Sequence, residues 1–371
     1  MVDLKRQYLP IKTEIDAAIQ EVIDTTAFIN GPDVTHFAHE LGQYLGGAHV
    51  IPCANGTDAL QIAMMALDLQ PGDEIITPSF TYIATVEVVG LLRLKPVFCE
   101  INPDTFTMDV ASVEALITPR TKAIVPVHLY GQSADMEPLM ALAKKHNLYV
   151  IEDNAQAIGG RYTFADGTQK ANGTMGHIGC TSFFPSKNLG CYGDGGALYT
   201  NDPVLAEKIK MVANHGQKKK YVHEVIGCNS RLDTMQAAIL RIKLKHLDTY
   251  CAARRKVADT YDAAFAGVEA IKTPYRAGNS YHVFHQYTIT LQGFDRDTMQ
   301  TKLAERGIPS MIYYPIPAHR QGMFSSFDLG NVHLPITDQL TAQVISLPIH
   351  TEMQADQQSF IINSFLDILK S

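Results

Sequence analysis

The chain has 371 residues, 46% of them hydrophobic and 19% charged, which is enough for a large domain with a smaller companion and a sizeable core. A formal charge of -7, with basic runs no longer than Lys218 to Lys220, argues against nucleic-acid binding. No apolar run approaches a membrane span, the first residues lack the apolar stretch of a secretory signal, and the cysteines form no Cys-x-x-Cys pair; the expected setting is the reducing cytoplasm, with no disulfide framework and no metal.

Two helices are expected first, over residues 11–24 and 34–44, parted by the turn Asn30-Gly31-Pro32 and placed to brace the smaller domain. Short apolar runs at 74–77, 97–100, 122–127, 148–151, 180–184 and 196–200 then read as buried strands. They alternate with helical patterns, such as Leu60, Ala63, Met64 and Leu67 at i, i+3, i+4, i+7, and the stretch 139–146. Strand and helix in alternation predict an α/β fold with a mostly parallel, doubly wound sheet, whose ligands sit at the carboxyl ends of strands. Past Asn229 the pattern changes to a long charged helix over 243–265, a strand over 286–291, and helices over 297–306 and 354–370. This predicts a large domain over 1–250 and a small α+β domain over 251–371, with the boundary within or beside a helix.

Lys187 lies between a polar turn and a run of glycines in the otherwise apolar stretch 181–199. An ammonium in such surroundings loses hydration, its pKa falls, and the free amine can attack an aldehyde, which suggests a Schiff-base lysine. The other parts that a pyridoxal phosphate enzyme needs stand at fitting places. Asp153 follows the apolar run 148–151, at a strand's carboxyl end, where a carboxylate would keep a pyridinium protonated; taken alone it reads as a helix N-cap. In Asn55-Gly56-Thr57-Asp58, Gly56 permits close backbone approach, Thr57 adds a hydroxyl, and the following helix N-terminus suits a phosphate dianion, although capping alone accounts for these residue types. Ser182 would point at the same phosphate or serve as a core serine. Tyr82 would stack on the ring or simply pack.

Other motifs lead elsewhere. Gly193-Asp194-Gly195-Gly196 precedes a strand instead of linking strand to helix, so it is no dinucleotide fingerprint; these glycines are expected to let backbone pass beside Lys187. His282 and His285 are three apart in a strand-like segment and point to opposite faces, which argues against a metal pair. Adjacent Glu152 and Asp153 fail the same test as a catalytic carboxylate pair, and the hydrolase elbow Gly-x-Ser-x-Gly is absent.

Together, Cys53 to Leu60, Thr77 to Tyr82, Val127 to Gln132, Glu152 to Gln156, Ser182 to Lys187, Asn214-His215-Gly216, Gly227 to Asp233 and Tyr313 to Pro317 resemble the DegT/DnrJ/EryC1/StrS aminotransferases, in order along nearly the whole chain. The resemblance implies a fold-type I pyridoxal phosphate enzyme, in which L-glutamate supplies the amino group and a nucleotide-linked keto sugar receives it. The strongest likeness is to members that aminate the 3-keto position of a UDP-N-acetyl sugar carrying a carboxylate, in lipopolysaccharide and O-antigen synthesis. It makes Lys187 the catalytic lysine that carries the cofactor and moves the proton, pairs Asp153 with the ring nitrogen, sets Gln156 on the phenolic oxygen, and lays the ring between Tyr82 and Ala155. Gly56, Thr57 and Ser182 would hold the phosphate, with Asn229 arriving from the other subunit of a homodimer. Arg231, Tyr313 and Tyr314 would meet the sugar, and Tyr313 stands where a histidine is usual. Transfer to a dTDP-keto sugar or a cyclitol, and a regulator that binds cofactor without turnover, are the alternative readings; the retained Lys187, Asp153, Gln156 and Ser182 speak against the regulator.

Overall fold

The computed structural model describes residues 1–370. Its central sheet has seven strands in the spatial order His49–Cys53, Gly196–Thr200, Ile178–Ser182, Tyr149–Asp153, Thr121–Ile124, Glu74–Pro78 and Lys95–Cys99. Gly196–Thr200 pairs antiparallel with both neighbours, and all other neighbouring pairs are parallel. The architecture is therefore the mostly parallel α/β sheet that the alternating pattern predicts.

Both faces of the sheet are covered, which is why its strands read as unbroken apolar runs. Successive residues point to opposite sides. Ile75 joins a core with Leu60, Met64 and Val88, whereas Ile76 joins another with Val113, Leu139 and Leu142. Helix starts are capped from the sequence: Asn55 accepts from the Asp58 N–H at 2.8 Å before Gly56–Ala66, and Asp202 accepts from the Val204 N–H at 2.8 Å before Pro203–Ala213.

The C-terminal residues build a separate core. Ile271–Lys272, Tyr287–Leu291 and Val344–Leu347 form an antiparallel sheet, and Phe265, Tyr287, Leu303 and Phe365 cluster with it under Leu247–Phe265, Arg296–Glu305 and Ala355–Lys370. The long charged helix expected over 243–265 is two helices, Thr234–Leu244 and Leu247–Phe265, separated at Lys245 and His246. The N-terminal helices also depart from expectation. Ile11 and Ile15 pack on Ile239 and Ile242, and Phe37 and Leu41 share a core with Ala237 and Leu240, so they brace Thr234–Leu244 and not the C-terminal core. Among the described residues no helix is long and apolar enough to cross a membrane.

Candidate active site

Six strands end at one edge of the sheet, and segments that follow five of them enclose a cavity of about 670 Å³. Gly56, Thr57, Tyr82, Asp153, Ala155, Gln156, Ser182 and Lys187 line it, joined by Tyr313 and Tyr314 from the C-terminal part. Open parallel sheets collect ligand-binding groups at this edge because every crossover helix starts there.

One end of the cavity is shaped by glycine. Gly196 lies in register between Cys53 and Ser182 on the two flanking strands. A Cβ on Gly196 would come within 2.4 Å of the Asn55 carbonyl carbon, and one on Gly56 within 2.7 Å of the Ser182 Cβ. Gly196 and Gly56 draw the helix start against Ser182, and strand pairing carries Gly196 to Asn55. Gly56 and Thr57 are the first two residues of Gly56–Ala66, where N–H groups have no partner within the helix. A phosphate fits this cradle. Asn55 at the same time caps the helix, so both readings of the motif apply.

Asp153 lies nearly buried at the end of its strand. It accepts from Thr85 Oγ1 at 2.8 Å and from the Ala155 N–H at 3.1 Å, and Thr85 Oγ1 lies 2.9 Å from Thr81 Oγ1. These bonds turn its carboxylate to the cavity and do not cap a helix. Its neighbours serve the interior. Glu152 accepts from His128 Nε2 at 2.8 Å and from the N–H groups of Gly173 and Met175, both at 2.7 Å; His128 Nδ1 accepts from the Ala134 N–H at 3.0 Å. Asn154 donates to the Asn172 carbonyl at 3.0 Å. Adjacent strand residues face opposite ways, so of these three only Asp153 lines the cavity.

Lys187 lines the same cavity. Burial pushes its ammonium down to about 8, against the opposing pull of Asp153. Gln156 is fixed by accepting from the Tyr130 N–H at 2.7 Å and donating to Tyr314 Oη at 2.9 Å, which leaves one amide N–H for the cavity. Tyr130 Oη donates to the Tyr313 carbonyl. Tyr82, 56% exposed, brings its ring centroid to 5.9 Å from that of Tyr314.

A desolvated lysine, a fixed carboxylate in the same cavity and a glycine-shaped anion cradle fit pyridoxal phosphate in kind and number. The model of the DegT/DnrJ/EryC1/StrS aminotransferase family matches residues 10–366. The chain belongs to the DegT/DnrJ/EryC1/StrS aminotransferase family. It is 47% identical to the UDP-2-acetamido-2-deoxy-3-oxo-D-glucuronate aminotransferase of Pseudomonas aeruginosa, over 94% of each chain. It is 45% identical to a pleiotropic regulatory protein of Geobacillus stearothermophilus, over all of this chain and 98% of the relative. Among solved structures, NtdA of Bacillus subtilis with bound cofactor PMP superposes with a TM-score of 0.90 at 33% identity, over 98% of this chain and 83% of that one.

Two expected site residues of this aminotransferase lie outside its own cavity. Asn229 is exposed and bridges to Asn214 through the backbone, and Arg231 is partly exposed. Three residues went unrecognised: Thr85, which holds Asp153, and His285 and Gln286, which line the cavity. In the sequence His285 stands out only beside His282, three residues earlier. Thr85 follows Tyr82 by three residues, a spacing that carries no signal until Asp153 is brought to it.

Proposed function

We propose that this chain is a pyridoxal phosphate-dependent aminotransferase that moves an amino group from L-glutamate to the 3-keto position of a UDP-linked N-acetyl sugar. The observation that carries this reading is the pairing of the Lys187 amine, held at about 8, with Asp153 in one cavity. At neutral pH an ordinary lysine, with a pKa of about 10.4, is almost wholly protonated, whereas a group at about 8 keeps a substantial share of free amine.

When bound, the cofactor supplies an aldehyde for that amine and a ring that draws electrons from the substrate carbon. Gly56, Thr57 and Ser182 would hold its phosphate through N–H and hydroxyl donors. Asp153, oriented by Thr85 and the Ala155 N–H, would keep the ring nitrogen protonated. The remaining amide N–H of Gln156 would meet the phenolic oxygen, with Tyr82 and Ala155 on the two ring faces. Lys187 would be the base that takes the proton from the substrate's α carbon.

The names of the relatives support a nucleotide sugar as acceptor; in this reading Arg231, Tyr313 and Tyr314 would be its contacts, and the chain would work in surface-polysaccharide assembly in the cytoplasm. A homodimer is the functional unit in this reading. Asn229 would reach the phosphate of the other subunit's cavity, in keeping with its exposure on a segment whose neighbour Ile226 is 87% exposed. The likeness to a regulatory protein raises the alternative of a binder without turnover; the intact set of Lys187, Asp153, Gln156 and Ser182 argues for chemistry.

The test is spectroscopic. Protein loaded with pyridoxal phosphate should be yellow, L-glutamate should bleach that band, and a panel of UDP- and dTDP-keto sugars should reveal which acceptor restores it. A spectrum indifferent to glutamate refutes the aminotransferase reading. Restoration by a dTDP sugar alone, or a free cyclitol unaffected by UDP, refutes the assigned acceptor.

A further inference from the structure

Two polar groups in the cavity wall have no partner of their own. The Lys187 amine makes no hydrogen bond among the described residues, and Nδ1 of His285 is buried without one. His285 is 8% exposed, yet it lines the same cavity as Lys187. A buried ring nitrogen without a partner is costly in a folded protein, and such groups mark places where a bond is made in another state.

The ring is held there by its backbone. Arg254, on Leu247–Phe265, donates through Nη1 to the carbonyls of Phe284 at 3.2 Å and His285 at 3.1 Å, tying this segment to the helix. The charged groups that bear on His285 are Lys187 and Arg254, both cationic, and with burial they keep the imidazole neutral. A neutral imidazole that carries its proton on Nε2 presents Nδ1 as a hydrogen-bond acceptor. The carboxylate of Asp153 lines the same cavity and pulls on the Lys187 ammonium in the opposite sense to burial.

We propose that His285 is a positioning residue for Lys187: its Nδ1 accepts a hydrogen bond from the lysine amine whenever that amine is free, turning the nitrogen lone pair toward the cavity. The proposal rests on Lys187 being the cofactor-binding lysine. It differs from a packing role in what it demands of the side chain, since an acceptor is needed and bulk alone will not serve. It also gives the amine a fixed resting position between rounds of chemistry, and reactions gain rate when the attacking group is held in line.

The experiment uses cofactor-free full-length protein with two readouts. Covalent capture of added pyridoxal phosphate is followed by growth of the visible band. Labelling of Lys187 by acetic anhydride, without cofactor, is followed against pH by peptide mass. His285→Phe and His285→Leu remove the acceptor, and His285→Gln supplies another. The expected result is capture slowed about tenfold or more in the Phe and Leu variants and restored at least in part in the Gln variant. In the Phe and Leu variants the labelling midpoint should also move to lower pH, because the ammonium loses an acceptor. Parent-like capture in a folded Phe or Leu variant overturns the proposal, as does equal slowing in Phe, Leu and Gln with the midpoint unmoved. Parent protein that labels normally but captures no pyridoxal phosphate refutes the proposed function instead, and the labelling midpoints still decide the role of His285.

Discussion

Gly56→Ala sets helix propensity against steric fit, and magnitudes decide the outcome. Gly56 opens the helix Gly56–Ala66, where alanine is the better helix former by up to about 1 kcal/mol. Its new Cβ would meet the Ser182 Cβ at 2.7 Å and the Ser182 Cα at 3.3 Å, in a strand paired on both sides. Comfortable carbon contacts begin near 3.5 Å, so the two walls of the cradle must part by roughly 1 Å. Overpacking of this kind costs about 1–3 kcal/mol and outweighs the propensity gain. For a bound phosphate the displacement exceeds the tolerance of roughly 0.5 Å within which such sites work. Losing one charge-assisted hydrogen bond, worth about 1.5–3 kcal/mol, weakens cofactor binding about 10- to 100-fold. The assay is titration of cofactor-free protein with pyridoxal phosphate, followed by its visible band, beside thermal melts read by circular dichroism. Gly193→Ala is the control, because its Cβ would meet only the end of the Gln236 side chain at 3.1 Å. A Gly56→Ala protein that melts higher than the parent and binds cofactor equally well would refute the steric argument and leave propensity as the dominant effect.

Two further outcomes follow from the buried charges. Thr85→Val keeps the shape of the side chain but removes the donor to Asp153, and should cost about 1.5–3 kcal/mol in urea unfolding. In a double-mutant cycle with Asp153→Asn most of that energy should vanish; an additive cycle would mean that Thr85 acts by packing alone. The second concerns pH. Lys187 sits at about 8 when folded and near 10.4 when unfolded, so the unfolded chain binds more protons between those values and stability rises with pH across that window. Cofactor-free Lys187→Met lacks this term and should gain about 2–3 kcal/mol over the parent below pH 8, an advantage that fades as pH approaches 10.4. Urea midpoints at pH 7.5 and pH 10 check this, and a pH-independent difference contradicts the desolvated lysine.

The candidate site was legible to the extent that its residues follow strands. Asp153 and Lys187 stand out because apolar runs deliver them to one edge, and strand direction alone separates Asp153 from Glu152 and Asn154. Thr85 and His285 were not legible, since Thr85 acquires meaning from its bond to Asp153, 68 residues away, and His285 from sharing a cavity with Lys187, about a hundred residues away. The strand His49–Cys53 escaped the pattern because Pro52 and the polar His49 interrupt its apolar character. The contact of Gly196 was hidden for a related reason: sequence neighbourhood points to Lys187, while strand pairing takes Gly196 to Asn55. The N-terminal helices carry apolar faces that fit more than one acceptor, and only the packed chain selects Thr234–Leu244.

The reversed strand has a consequence for the lysine it follows. The chain leaves the sheet at Ser182 and returns at Gly196, and these two residues are partners in the ladder. The segment between them is therefore a ring closed by backbone hydrogen bonds, with Lys187 on its rim. A ring of this size has already lost most of the freedom that an open loop gives up on ordering, so the lysine can let go of one partner and take another while its main chain stays anchored. In the proposed reaction each change of partner would move a side chain only, because the main chain that carries Lys187 is arranged when the protein folds.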